Sequence, residues 1–134
     1  MNSDDKFEIK GRSSTEIWDF ENAFYWFSHP TRLNKMLAHY DLFQTILEIP
    51  GDIFELGVFK AVSLIRFATF RNMLENDYSR KIVGFDAFGK FPRNNLRLGA
   101  DVKFVDNFKR LAEMVCRKMK YPKLYIIKDL RIYN

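Results

Sequence analysis

Hydrophobic positions fall into two rhythms along this chain, and the alternation between them predicts its elements. Residues 1–12 are polar and are expected to be loose. Ser13 and Glu16 have capping-box spacing, which predicts a helix start. The aromatics that follow, Trp18, Phe20, Phe24, Tyr25, Trp26 and Phe27, are too many for one narrow stripe. Core packing is expected for most of them, and contact with a partner or cover over a pocket for the others. Ser28 and Pro30 predict a second helix start. Leu33, Met36, Leu37, Tyr40, Phe43 and Leu47 then recur at helical spacing until "IPG" (49–51) stops the helix.

Beyond this point short apolar runs alternate with helical ones. "DIFEL" predicts a strand that Gly57 ends. A helix is expected from about Lys60 to Glu75, with Leu64, Ile65, Ala68 and Leu74 among its apolar positions. "NDYSR" reads as a turn and "KIVGFD" as a second strand. "AFGKFPRNNLRLGA" is loop-like. Val102, Val105, Phe108, Leu111, Ala112, Val115 and Met119 mark a further amphipathic helix, and "KLYIIK" a third strand before the closing "DLRIYN".

The order β-α-β-α-β after two leading helices predicts an α/β fold with three parallel strands. This is the N-terminal half of a doubly wound, Rossmann-like sheet. The expected organisation is a flexible N-terminus (1–12), a helical lead segment (13–50) and a partial cofactor-binding domain (51–134). A parallel sheet calls for cover on both faces, so the chain reads as a first half without its second.

Composition narrows this picture. The 134 residues suit one modest core, and 47% hydrophobic content excludes a disordered chain. No apolar run reaches the length of a membrane span, so no membrane partner is expected. The N-terminus lacks an apolar secretory region. Cys116, the single cysteine, allows no internal disulfide, and a cytoplasmic location is the expectation. The net charge of +5 gathers toward the C-terminus, from Lys103 to Arg131. A solvated helix face explains it, and no nucleic-acid motif accompanies it. His29 and His39 read as structural or solvent-facing, Cys116 as a buried thiol, and no zinc or Ser-His-Asp pattern is present.

Candidate chemistry lies where the first strand turns into its helix. In such sheets, ligands sit beyond the carboxyl ends of the strands. There the sequence places Glu55, Gly57 and the turn "VFKAVS" (Val58 to Ser63), with Asp86 ending the next strand. A glycine allows positive φ and close approach, and the amides of the following helix can bind an anion. A carboxylate after the second strand can accept from both ribose hydroxyls. The tract G-V-F-K-A-V departs from the dinucleotide fingerprint G-x-G-x-x-G. Two acids flanking the turn suit a nucleoside with a cationic amino-acid tail, such as S-adenosylmethionine. A tight turn at Gly57 with Asp86 as a loop or cap acid is the alternative reading of the same residues.

"YWFSHPTRLNKMLAHYDLF", "PGDIFELGVFKAVSLIRFATFR" and "RKIVGFDAFGKFP" together resemble the TylF/macrocin O-methyltransferase family. Its pattern runs P-G-D-I-x-E-x-G-V-[FYW]-[KR]-G-x-S, then G-F-D-[ST]-F-x-x-[FL]-P, and the match spans roughly residues 25–92. The resemblance implies a class I S-adenosylmethionine-dependent methyltransferase acting on a small-molecule hydroxyl, of the sugar or nucleotide-sugar kind. It implies that Glu55 and Gly57 line the methionine end of the cofactor. Val58, Phe59 and Ala61 then form the turn, Ser63 helps hold the cofactor and Asp86 binds the ribose hydroxyls. Ala61 stands where the family has glycine, so strain and weakened cofactor binding are expected.

Family members continue beyond this length with further acids, proposed as ligands of a divalent metal, and much of the acceptor site. Those ligands are absent here, and no residue stands out as a general base. The chain therefore reads as a truncated form, through a frameshift or a split gene, and no methyl transfer by it alone is expected. The alternative is a non-catalytic cofactor-binding or interaction module, pairing with its own copy or with a complementing second chain.

Overall fold

The computed structural model describes residues 6–88 and 103–128, with side chains from Lys109 onward in the second stretch. The loop expected beyond Phe88 and the closing "DLRIYN" lie outside the described residues. The chain forms two compact units, Met1–Thr45 and Ile46–Asn134.

The first unit departs from expectation at its start. Residues 8–13 form a small antiparallel hairpin, β1 (Glu8–Ile9) and β2 (Arg12–Ser13). Lys10 and Gly11 both carry positive φ, 51° and 71°, as a type I′ turn requires. Ser13 caps as its spacing predicts: its amide donates to Glu16 Oε2 at 3.0 Å, and its Oγ accepts from the Thr15 amide at 3.2 Å. The first turn, Ser14–Glu16, is 3₁₀, and α1 (Ile17–Phe27) continues from it. None of the residues of α1 is buried, contrary to the core packing expected of its aromatics. Phe24 to Phe27 are four consecutive aromatics covering about 300° of helix circumference, which no single face can bury. His29 is solvent-facing, and its Nδ1 accepts from the Thr31 amide at 3.4 Å at the start of α2 (Pro30–Thr45).

The second unit is a parallel sheet in the order β3 (Ile53–Leu56), β4 (Ile82–Asp86), β5 (Leu124–Lys128). The register aligns Ile53 with Ile82 and Ile82 with Leu124. Helix α3 (Val62–Leu74) connects the first pair, and α4 (Lys103–Met119) lies between the second. Strand alternation sorts the side chains. Ile53, Ile82, Leu124 and Ile126 pack with Leu64, Phe67 and Ala68 of α3 and Ala112 and Cys116 of α4. On the opposite face Phe54, Leu56, Tyr125 and Ile127 remain exposed. This is the α/β half-fold that the sequence predicts, with strand bounds agreeing to within one residue.

At the amino ends of the strands, two arginines tie the unit together. Arg71, fully buried at the end of α3, donates to Arg80 O at 2.7 Å and Pro122 O at 2.6 Å. Burial lowers its pKa from the ordinary value, against the opposing charges of Asp77, Glu75 and Tyr121. Arg80 forms a two-pronged pair with Glu75 and donates to Ile46 O and Gly51 O, both at 3.2 Å.

Candidate functional site

Strand β3 ends at Leu56, and the Gly57 amide still donates to Phe85 O at 2.8 Å, so the chain leaves the sheet from a fixed point. From there φ is positive at alternate residues: 91° at Gly57, 49° at Phe59 and 63° at Ala61. Only the first is a glycine, so Phe59 and Ala61 hold a conformation that L residues disfavour by about 1–2 kcal/mol each. The strain expected at Ala61 is therefore present. Ala61 also stands at the N-cap of α3, and no side chain caps that helix. Its own amide donates to Val58 O at 2.8 Å, and its carbonyl accepts from the Ile65 amide at 2.9 Å.

Asp86 closes the turn from the end of β4. Its Oδ2 accepts from the Val58 amide at 2.9 Å and the Phe59 amide at 3.0 Å. Its Oδ1 accepts from the Phe88 amide at 2.9 Å. One carboxylate thus joins the loop after β3 to the loop after β4. Gly84, two residues earlier, makes room for this arrangement: a Cβ there would lie 2.5 Å from Val58 Cγ2. Val58 accordingly tucks into the core while Phe59 stays 55% exposed, with Lys60 Nζ 5.3 Å from its ring centre.

The remaining candidates are placed as follows. Ser63 is the second residue of α3 and half-buried. Glu55 is half-buried and shares its sheet position with Gly84 and Ile126 on the helix-covered face. Its charge reaches Cys116, whose thiol is raised to about 11 by burial first and by Glu55 second. Ala61 has no accessible surface, so a ligand does not touch it in this conformation. The structure therefore brings Gly57, Val58, Phe59 and Asp86 into direct contact or continuity, with Ala61 and Ser63 at the adjoining helix start.

Two participants are residues to which the sequence assigns no role, although both stand in the family pattern. A glycine inside an apolar strand signals close backbone approach, and Gly84 carried that signal. Phe88 stands at the second aromatic of the family pattern, but its part here is played by a backbone amide and a positive φ of 44°. A cavity of about 710 Å³ lies elsewhere, around Cys116, Tyr121, Leu124 and Tyr125, and includes none of the turn residues. Among the described residues no cluster of three or more His, Cys, Asp or Glu could hold a metal, and no helix is long and apolar enough to cross a membrane.

A strand, a turn of alternating positive φ, an uncapped helix and an acid on the neighbouring strand make up a Rossmann-like half-fold. Comparison with solved structures agrees. The chain is similar to the crystal structure of CalS11, calicheamicin methyltransferase, with 23% identity and a TM-score of 0.57 over 84% of this chain and 50% of that one. It is also similar to the apo structure of CalS11 described as a TDP-rhamnose 3'-O-methyltransferase, an enzyme in calicheamicin biosynthesis, with 23% identity and a TM-score of 0.55, over 84% of this chain and 48% of that one. The chain thus spans about half the length of the solved structures it matches. No protein-family model and no curated protein matches it.

Proposed function

We propose that this chain is the cofactor-binding half of an S-adenosylmethionine-dependent O-methyltransferase whose acceptor is a sugar or nucleotide-sugar hydroxyl, of the TylF/macrocin kind. The observation that carries this reading is the turn from Gly57 to Ala61, with positive φ at every second residue and Asp86 fastened across it. Such a turn opens the backbone to close approach, and the uncapped start of α3 can take a ligand carboxylate. Glu55, two residues before Gly57, supplies negative charge for the ligand's ammonium. Ser63 offers a hydroxyl at the helix start. The likeness to sugar methyltransferase structures supports the same choice of ligand class. General-base help for the acceptor hydroxyl belongs to the acceptor-binding half, as does any divalent metal.

Calorimetric titration with S-adenosylhomocysteine tests the reading. Saturable binding to one site, abolished by Gly57→Val, is expected. Absence of binding, or equal binding of NAD, would overturn it. A second reading has its own observation: Phe54 and Leu56 are 65% and 76% exposed on β3, whose outer edge pairs with no other described strand. A non-catalytic module that docks another chain there would sediment as an assembly and bind the cofactor without turnover.

A further inference from the structure

The arrangement around Asp86 carries an inference about how the cofactor is recognised, and it rests on the reading just given. An ionised carboxylate offers about four acceptor positions, two on each oxygen. In this structure Oδ2 takes two amides, from Val58 at 2.9 Å and Phe59 at 3.0 Å. Oδ1 takes one, from Phe88 at 2.9 Å. With donors from the described residues, one position is left. Two ribose hydroxyls cannot both bond to Asp86 unless an amide lets go, and that amide belongs to the turn the ligand must approach.

We propose that Asp86 is a positioning residue: it acts on the cofactor through the turn it clamps, and it accepts from at most one ribose hydroxyl. Three features make the clamp suit that task. It spans 28 residues of sequence, from Val58 to Asp86, so it fixes a junction that local structure alone would not. It holds Phe59 at φ 49°, a backbone state that needs outside support. It also draws the Phe88 amide in, so the loops after β3 and β4 are set by one group. Removing that group frees both walls of the ligand site together.

The test separates clamping from ribose contact. Binding of S-adenosylhomocysteine and of its 2′,3′-dideoxy analogue is measured for the wild-type chain, Asp86→Asn and Asp86→Ala. A clamp acts before the ribose arrives, so Asp86→Ala is expected to weaken both ligands by a similar factor, about tenfold or more for loss of charged hydrogen bonds. Asp86→Asn keeps one carbonyl oxygen for Val58 and Phe59 and falls between. Loss confined to the hydroxylated ligand, with the dideoxy analogue bound as tightly as by wild type, would overturn the proposal.

Amide hydrogen exchange in the free protein provides the second arm. Val58, Phe59 and Phe88 should exchange faster in Asp86→Ala while the amides of Ile82 and Val83 in β4 keep their protection. Unchanged exchange at the three amides would overturn the clamp, and loss of protection throughout β4 would reduce Asp86 to a general structural role. If the wild-type chain binds neither ligand, the cofactor reading falls, and the exchange measurement still decides whether the clamp exists.

Discussion

The two ends of the parallel sheet are fastened by opposite means. At the amino ends of the strands, long cationic side chains reach into the core and saturate carbonyl oxygens: Arg71 those of Arg80 and Pro122, Arg80 those of Ile46 and Gly51. At the carboxyl ends, one short carboxylate gathers amides from Val58, Phe59 and Phe88. The first arrangement removes polar groups from water and shields them. The second leaves a half-buried acid, an exposed Phe59 and an uncapped helix start facing outward. Positive φ at non-glycine residues occurs at both ends: Lys120 and Lys123 before β5, and Phe59, Ala61 and Phe88 beyond β3 and β4. Polar groups, by contrast, are paired off and buried at one end and left facing outward at the other. That division is expected of a fold whose ligands sit beyond the carboxyl ends of its strands.

The largest effect that can break this comparison lies at Arg71. Arg71→Met keeps most of the volume but strands two carbonyls that it now satisfies, and a cost of about 3–5 kcal/mol is expected. Urea unfolding of the chain measures it. A cost below about 1 kcal/mol would mean that the amino end is not the anchored one. Gly84→Ala comes next. The added Cβ meets Val58 Cγ2 at 2.5 Å and the Leu64 methyls at 3.1 and 3.2 Å. Val is branched at Cβ and cannot swing its methyl aside cheaply, so about 1–3 kcal/mol of overpacking is expected. Because Val58 carries one of the clamped amides, the same substitution should weaken S-adenosylhomocysteine binding. Destabilisation without a change in affinity would separate the turn from the ligand.

The sequence exposed the two ends unequally. The β-α-β-α-β order, the strand at "DIFEL" and the acid at Asp86 were legible because apolar periodicity and a turn glycine report on local structure. The family pattern, with glycine at this position, marks Ala61 as a place where a positive φ would mean strain, and φ there is 63°. The arginine anchor was not legible. Arg71 lies among apolar residues of a helix, and nothing in its neighbours tells a buried arginine from a solvated one; its partners are 9 and 51 residues away. The hairpin at residues 8–13 is hidden by the polar composition of residues 1–12, since its turn depends on positive φ at Lys10 and Gly11 and not on any apolar pattern. The aromatics of α1 show both sides of the expectation: their spread around the helix is legible in the run Phe24–Phe27, and the core packing expected of most of them is absent because no one face can bury that spread.

The smallest effect is the most discriminating. Ala61→Gly removes an αL penalty of about 1–2 kcal/mol but adds about 0.5–1 kcal/mol of chain entropy and loses roughly 0.8 kcal/mol for one buried methyl. These nearly cancel, so a stability change under about 1 kcal/mol is expected. Affinity is where two arguments part. The family pattern, with glycine at this position, implies that the methyl weakens cofactor binding and that glycine restores it. The structure gives a different physical account: Ala61 is fully buried and already at φ 63° without ligand. If the cofactor seats on the turn as it stands, the strain is common to free and bound protein and drops out of the dissociation constant. An S-adenosylhomocysteine affinity unchanged within about twofold would therefore show a preformed turn, held by Asp86 against its own strain. A gain of tenfold, about 1.4 kcal/mol, would show that the turn must move to admit the ligand, and that the methyl resists the motion.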